Sequence, residues 1–150
     1  MAWRNITGGI SGRIVHPDGS MELAYLVTTA SAYPRVVYNP AADHFAVFWP
    51  QKSGAFYIYG QEINAQTGQL YGGPFISNPI STAASNNLAY DAVYCPYTGW
   101  YAVAAAVVGD TSPRFPVVQL FDSGGPVASV NVDSTAYTNL VVSVDHRFRN

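Results

Sequence analysis

The chain contains three copies of a hairpin-forming pattern, and the clearest copy is the stretch Ile58–Ser77. In this stretch two β-forming segments flank the turn Asn64–Gln69, which contains the glycine that hairpin turns need for positive φ. Similar pairs of segments flank the turns His16–Ser20 and Asp122–Gly125. Because self-similarity along a chain is typical of repeat architectures, the repeat constrains the fold more than any single residue does.

Each hairpin is followed by a polar loop and by further predicted strands. The third strands of the repeats are Arg35–Pro40, Asp91–Pro96 and, with a looser match, Asn139–Val144. The fourth strands are His44–Trp49 and Trp100–Ala104. A unit of four strands over about 50 residues falls within the range of propeller blades.

Both ends of the chain are similar to parts of the fourth strand. Ala2–Asn5 is similar to Phe48–Gln51, and Asp145–Asn150 is similar to the start of the strand at Asp43. We therefore predict a single domain, residues 1–150, of three circularly shifted repeats with limits near 1–49, 50–107 and 108–150. Apolar residues do not recur at helical spacing between caps, and even the alanine-rich Ala102–Ala106 has β-forming neighbours, so the predicted fold class is all-β.

The stretch Arg35–Ser77 resembles bacterial β-propeller repeats. Units of that family contain a Tyr-Asn-Pro turn, an aromatic-aliphatic strand ending in Trp, an Ile-Tyr-Gly-Gln segment and a Gly-Gly-Phe-Ile-Ser strand. The resemblance is moderate over Ala89–Val103 and faint elsewhere. It implies a β-propeller with four-stranded blades, and it brings no catalytic motif.

Three blades are fewer than the usual four to eight of a closed propeller. We therefore expect a homodimer in which two chains form a six-bladed ring, with the N-terminus of one chain pairing with the C-terminus of the other. The alternative is a β-trefoil or β-prism monomer, since three four-stranded units in 150 residues suit those folds too.

Composition argues against several classes of partner. Only 11% of the residues are charged and the net charge is −2, so neither nucleic acid nor an anionic membrane surface is an expected partner. No run of 18 apolar residues is present, and the first residues lack the layout of a secretory signal; the compartment stays open. The single Cys95 excludes an intrachain disulfide and is expected to be a small buried hydrophobe.

The segment Asp122–Pro126 resembles the nucleophile segment of chymotrypsin-like serine proteases. The glycine that precedes it in that family is replaced by Phe121, and the segment that supplies the general-base histidine is missing. A serine without a positioned base is a poor nucleophile, and the repeat places this segment where other units have hairpin turns. We predict a turn.

Carboxylates and histidines do not form an evident catalytic or metal-binding set. Glu62 is the only acid in the first strands, whereas glycoside hydrolysis requires two carboxyl groups. His44 and His146 each follow an aspartate, a pattern that turn capping and solvation explain. We expect no metal site, no cofactor and no enzyme activity, with a propeller-type glycoside hydrolase as a further alternative.

The loops that precede the first and third strands would lie on one face of a propeller and are rich in hydroxyl, amide and aromatic groups, which suit sugar recognition. We predict a non-catalytic binding module for a carbohydrate or a protein; the alternative is a structural or assembly protein without a small ligand. For Trp49 the competing interpretation is a core position, because it lies in a strand. The candidate ligand-binding residues are Arg4, Tyr33, Trp49, Lys52, Asn86, Arg114 and Tyr137.

Overall fold

The computed structural model describes residues 1–80, 87–108 and 116–132. Within these ranges the chain forms eleven β-strands and no helix, so the all-β prediction is confirmed. In the same ranges no helix is long and apolar enough to cross a membrane. The strands are β1 (Ala2–Arg4), β2 (Ile10–Gly12), β3 (Tyr25–Thr28), β4 (Arg35–Asn39), β5 (His44–Ser53), β6 (Ala55–Asn64), β7 (Leu70–Ile76), β8 (Asn87–Cys95), β9 (Trp100–Val108), β10 (Val117–Asp122) and β11 (Gly125–Asn131).

The strands form three antiparallel sheets in chain order, β1-β2-β3, β4-β5-β6-β7 and β8-β9-β10-β11. Each four-stranded sheet combines the third and fourth strands of one predicted repeat with the first and second strands of the next. The predicted repeat limits at residues 49/50 and 107/108 therefore fall inside β5 and β9, so repeats and sheets are offset by two strands.

The middle sheet packs on both sides, because its side chains alternate between its two faces. In β5, Phe48 belongs to one core cluster, whereas Val47 and Trp49 belong to the other. In β6, Ile58 belongs to the first cluster and Ile63 to the second. Two cores thus flank one sheet, which explains the uninterrupted apolar runs Phe45–Pro50 in β5 and Ala55–Tyr59 in β6.

The first cluster joins the middle sheet to the sheet β8–β11 through aromatic rings. The centroid of the Phe48 ring lies 5.6 Å from those of Phe75 and Tyr101 and 5.8 Å from that of Phe121. All four side chains are at most 6% exposed. Burial of each such ring contributes roughly 1.5–3 kcal/mol, so these rings account for much of the contact between the two sheets.

Glycine and an aromatic residue face each other in two of the three sheets. Gly60 pairs with Phe75, and a Cβ added to Gly60 would lie 2.1 Å from Phe75 Cε2. Gly12 pairs with Tyr25, where an added Cβ would lie 2.7 Å from Tyr25 Cε2. The aromatic ring fills the volume that a side chain on the neighbouring strand would need, so glycine is required at both positions.

Two local expectations are corrected. The β-forming segment expected before the turn His16–Ser20 is a strand only over Ile10–Gly12, and Val15 forms an isolated bridge with Met21. Cys95 is half-exposed rather than buried, because it lies at the end of β8 beside a surface turn. A hydrogen bond with the Thr98 side chain lowers the pKa of the Cys95 thiol.

Candidate functional site

The first candidate site is a cavity of about 880 Å³, which we name the Arg4–Lys52 pocket. It lies where β1, the loop after β3, the end of β5 and the start of β8 come together. Residues from three of the loops expected on one face, among them Arg4, Tyr33 and Lys52, line this pocket. Its lining residues are Arg4, Ala30, Ser31, Ala32, Tyr33, Pro50, Gln51, Lys52, Phe56, Leu88, Ala89 and Tyr90.

Arg4 is held at the rim of the pocket by two contacts to the loop between β3 and β4. Its Nε donates a hydrogen bond to Ser31 Oγ at 3.0 Å, and its guanidinium carbon lies 5.2 Å from the centroid of the Tyr33 ring. Tyr33 is 69% exposed, so most of this ring is accessible to a ligand. Because the guanidinium group is a planar donor and remains charged, Arg4 can bind a carboxylate in this position.

Tyr90 fixes the floor of the pocket. Its hydroxyl donates a hydrogen bond to the carbonyl oxygen of Tyr33 and lies 3.1 Å from that of Phe48. Burial raises the pKa of Tyr90 well above its usual range, with a small opposing effect of the Arg35 guanidinium. The neutral Tyr90 hydroxyl therefore connects β8 to the loop that contains Tyr33. The backbone of Tyr33 is anchored by this hydrogen bond, whereas its ring is exposed.

The described side chains that line the pocket include two cations. Lys52 near the end of β5 places its ammonium group 5.4 Å from the centroid of the Phe56 ring. The described residues that line the pocket comprise two basic side chains, Arg4 and Lys52, and no carboxylate. Two cations with aromatic rings beside them favour an anionic ligand that also presents an apolar surface.

Among the other candidate residues, Trp49 does not line this pocket. Trp49 is 3% exposed, and its ring stacks on that of Tyr59 with centroids 6.0 Å apart, so its side chain belongs to the core. Asn86, Arg114 and Tyr137 lie outside the described residues. The structure thus brings together Arg4, Tyr33 and Lys52 and adds residues that sequence reasoning missed, chiefly Ser31, Phe56 and Tyr90.

A second cavity, of about 270 Å³, lies at the opposite end of β5 and β6, and we name it the Glu62 pocket. It opens between the middle sheet and the sheet β8–β11. Its lining residues are Asn39, Ala42, His44, Glu62, Tyr71, Thr98, Gly99, Trp100, Tyr101, Asp122 and Ser123.

Three ionisable side chains meet in the Glu62 pocket. Tyr101 donates a hydrogen bond from its hydroxyl to Glu62 Oε1 at 2.8 Å, and His44 Nδ1 lies 3.9 Å from Glu62 Oε2. Glu62 is 4% exposed and His44 is 7% exposed, so the expectation that His44 is a solvated turn residue is wrong. Burial, reinforced by the hydrogen bond to Glu62, raises the pKa of Tyr101 well above its usual range.

The predicted turn at Asp122–Gly125 is confirmed, since it connects β10 and β11 and the Gly124 amide donates to Asp122 Oδ1 at 2.7 Å. This turn also places Asp122 in the wall of the Glu62 pocket. Sequence reasoning found no second acid for Glu62, because the two residues are 60 positions apart and belong to different sheets. Within the described part of the chain, no group of three His, Cys, Asp or Glu residues could hold a metal ion.

Comparison of the chain with models of protein families, with curated proteins and with solved structures found no match in any of the three.

Proposed function

We propose that the protein is a non-catalytic binding module that recognises a carbohydrate through the Arg4–Lys52 pocket. The observation that carries this proposal is that Arg4, Tyr33 and Lys52, which belong to three separate segments, line one open cavity of about 880 Å³. A volume of this size accommodates a ligand of one or a few sugar rings.

The chemistry of the lining supports a sugar that carries a carboxylate. The exposed ring of Tyr33 offers an apolar surface for a sugar face, while the Ser31 hydroxyl and the Gln51 amide are suited to sugar hydroxyl groups. Arg4 and Lys52 would bind the acidic group, because guanidinium and ammonium groups form charge-assisted hydrogen bonds with carboxylates. A uronic acid or another acidic sugar combines all of these features.

The proposed architecture is a propeller of three blades per chain, with two chains in a ring. Strands that follow one another across each sheet, as in β4-β5-β6-β7, are typical of propeller blades and support this choice over a trefoil or a prism. The first sheet has three described strands where the other two have four, which supports completion of its β1 edge by a further strand. A ring would also carry repeated ligand sites and gain avidity from them.

Binding of acidic glycans tests the proposed function. We expect a glycan array to show binding to oligosaccharides that contain uronic acids and weaker binding to their neutral counterparts. Tyr33→Ala and Arg4→Ala should each weaken binding about tenfold, since a charge-assisted hydrogen bond or an aromatic contact contributes roughly 1–3 kcal/mol. The matched control is Tyr97→Ala, because Tyr97 is 78% exposed and lies outside the pocket.

Four outcomes would overturn parts of this proposal. Absence of binding to every glycan would reject the carbohydrate, and an equal effect of Tyr33→Ala and Tyr97→Ala would reject the pocket. Cleavage of a bound oligosaccharide would reject the non-catalytic role. A solution mass equal to that of the single 16.1 kDa chain would reject the two-chain ring.

A structural or assembly role is the second candidate. The side chains of Val93, Ala102, Val118 and Leu120 in the last sheet are only half-buried, which supports an association surface. This role predicts a specific protein partner and no thermal stabilisation of the chain by any sugar.

A further inference from the structure

The Glu62 pocket contains a buried carboxyl group with few polar side-chain partners among the described residues. Glu62 is 4% exposed, and among the described residues its hydrogen bond from Tyr101 and the longer contact with His44 are its only side-chain partners. A buried charge is costly unless it is paired and hydrogen-bonded. No described lysine or arginine lines this pocket. A positively charged ligand would therefore add a partner for Glu62 in this pocket.

His44 does not form a hydrogen bond with Glu62. Its Nδ1 is buried and has no hydrogen-bond partner among the described residues, and the 3.9 Å between this atom and Glu62 Oε2 is too long for a hydrogen bond. The imidazole instead packs against the Tyr71 ring, with centroids 4.2 Å apart. A buried polar side chain without a partner is uncommon in folded proteins and points to a group that the pocket receives from outside.

The other residues that line the Glu62 pocket indicate which kind of cation it would bind. The rings of Tyr71, Trp100 and Tyr101 contribute aromatic surface, and Asp122 adds a second carboxylate at the surface end of the pocket. Aromatic rings combined with carboxylates are suited to organic ammonium groups, because the ring faces attract cations and the carboxylates accept N–H hydrogen bonds. The volume of about 270 Å³ is sufficient for a small amine.

We propose that the Glu62 pocket binds a small organic ammonium ion that has N–H donors, with Glu62 as the principal acceptor and the aromatic rings around the cation. This site lies at the end of the strands opposite the Arg4–Lys52 pocket, so it is independent of the carbohydrate site. The two pockets also have opposite charge, which makes them selective for different ligands.

NMR titration with n-butylammonium chloride tests the proposal, with sodium chloride used to hold the ionic strength constant. We expect shifts of the amide signals of Gly99 and Tyr101 and of the Trp100 indole signal. Butyltrimethylammonium, which has no N–H donor, and 1-butanol, which has no charge, should each bind at least about tenfold more weakly, since a charged hydrogen bond contributes roughly 1.5–3 kcal/mol. Equal binding of butyltrimethylammonium, or binding of calcium chloride in its place, overturns the assignment.

Two variants remove negative charge with little change in shape. Glu62→Gln retains an acceptor for the Tyr101 hydroxyl and should weaken n-butylammonium binding at least about tenfold. Asp122→Asn retains the Oδ1 that accepts the Gly124 amide and should weaken binding a few-fold, as expected for a partly solvated charge. Asp122 is at the surface, so Asp122→Asn should fold even if Glu62→Gln does not. Binding by Asp122→Asn then tests the site without Glu62→Gln.

The matched control is Glu22→Gln, since the Glu22 side chain is 51% exposed and lies outside the Glu62 pocket. An equal loss in Glu22→Gln and Glu62→Gln, or no loss in either pocket variant, would reject the site. Loss of glycan binding in Arg4→Ala with unchanged n-butylammonium binding would show that the two pockets are independent.

Discussion

Gly60 in β6 lies opposite Phe75 in β7, and the Phe75 ring occupies the space where a side chain on Gly60 would stand. This ring then contacts Phe48 and Phe121 in the core between two sheets. The glycine of the hairpin repeat is thus required by a close approach between neighbouring strands. Gly60 and Phe75 thus belong to the hairpin pattern of the sequence, and Phe75 also packs one sheet on the next.

Replacement of Gly60 by alanine should destabilise the protein. The added Cβ would lie 2.1 Å from Phe75 Cε2, so the ring must leave its position in the core, at a cost of about 1–3 kcal/mol. Urea unfolding measures the change in the free energy of unfolding. The control is Gly73→Ala in β7, where no atom lies within 4 Å of an added Cβ, and its effect should be within about 0.5 kcal/mol. Similar losses in both variants would contradict this explanation.

Tyr90→Phe should lower the free energy of unfolding by about 1 kcal/mol, the usual contribution of one hydrogen bond. The Tyr90 hydroxyl is the donor to the Tyr33 carbonyl, and without it the loop that carries Tyr33 loses an anchor. Thermal unfolding followed by circular dichroism gives the change in stability, with the exposed Tyr97→Phe as control. Faster amide hydrogen exchange at Tyr33 and its neighbours should accompany the loss; unchanged exchange there would mean that the bond does not hold the loop.

The protein should lose stability above pH 10, where tyrosines of the unfolded chain ionise. Burial raises the folded-state pKa of Tyr101, so its stabilising contribution is fully present below pH 10 and is lost as pH rises through the raised value. A group of this kind changes the free energy of unfolding by about 1.4 kcal/mol per pH unit above its unfolded pKa.

Urea unfolding at several alkaline pH values measures this dependence. Tyr101→Phe should reduce the slope of the free energy of unfolding against pH, whereas Tyr97→Phe, which removes a phenol that is 78% exposed, should change it much less. A slope that is the same in the wild type and in Tyr101→Phe would contradict the assignment of this dependence to Tyr101.

Cys95 should react with iodoacetamide in the folded protein. The hydrogen bond with Thr98 lowers the pKa of the thiol, which increases the thiolate fraction near neutral pH. Thr98→Val should therefore slow alkylation at pH 7 by a few-fold and move the midpoint of the rate against pH upward. The control is Thr67→Val in a different turn; a Cys95 rate that falls equally in both variants would reject the role of Thr98.

Local regularities account for what could be predicted from the sequence. Segments of β-forming residues between turn clusters indicated strands, and glycines in these clusters indicated turns, as Gly68 with φ of 67° illustrates. Comparison of the repeats also showed that Asp122–Gly125 is a turn. Loop positions relative to the strands were sufficient to predict that Arg4, Tyr33 and Lys52 lie on one face, because such loops share one end of a set of antiparallel strands.

The sequence alone thus determined the strand-and-turn pattern and one set of pocket residues, since both depend on neighbours along the chain. Tertiary structure decided which side chains of different sheets meet. Trp49 belongs to the core because β5 is covered on both faces, and Glu62, His44, Tyr101 and Asp122 share a pocket because two sheets pack together. Contacts of this kind join residues far apart in the chain and depend on strand register and on the packing of sheets. The alternation of side chains along one strand does not specify either of these.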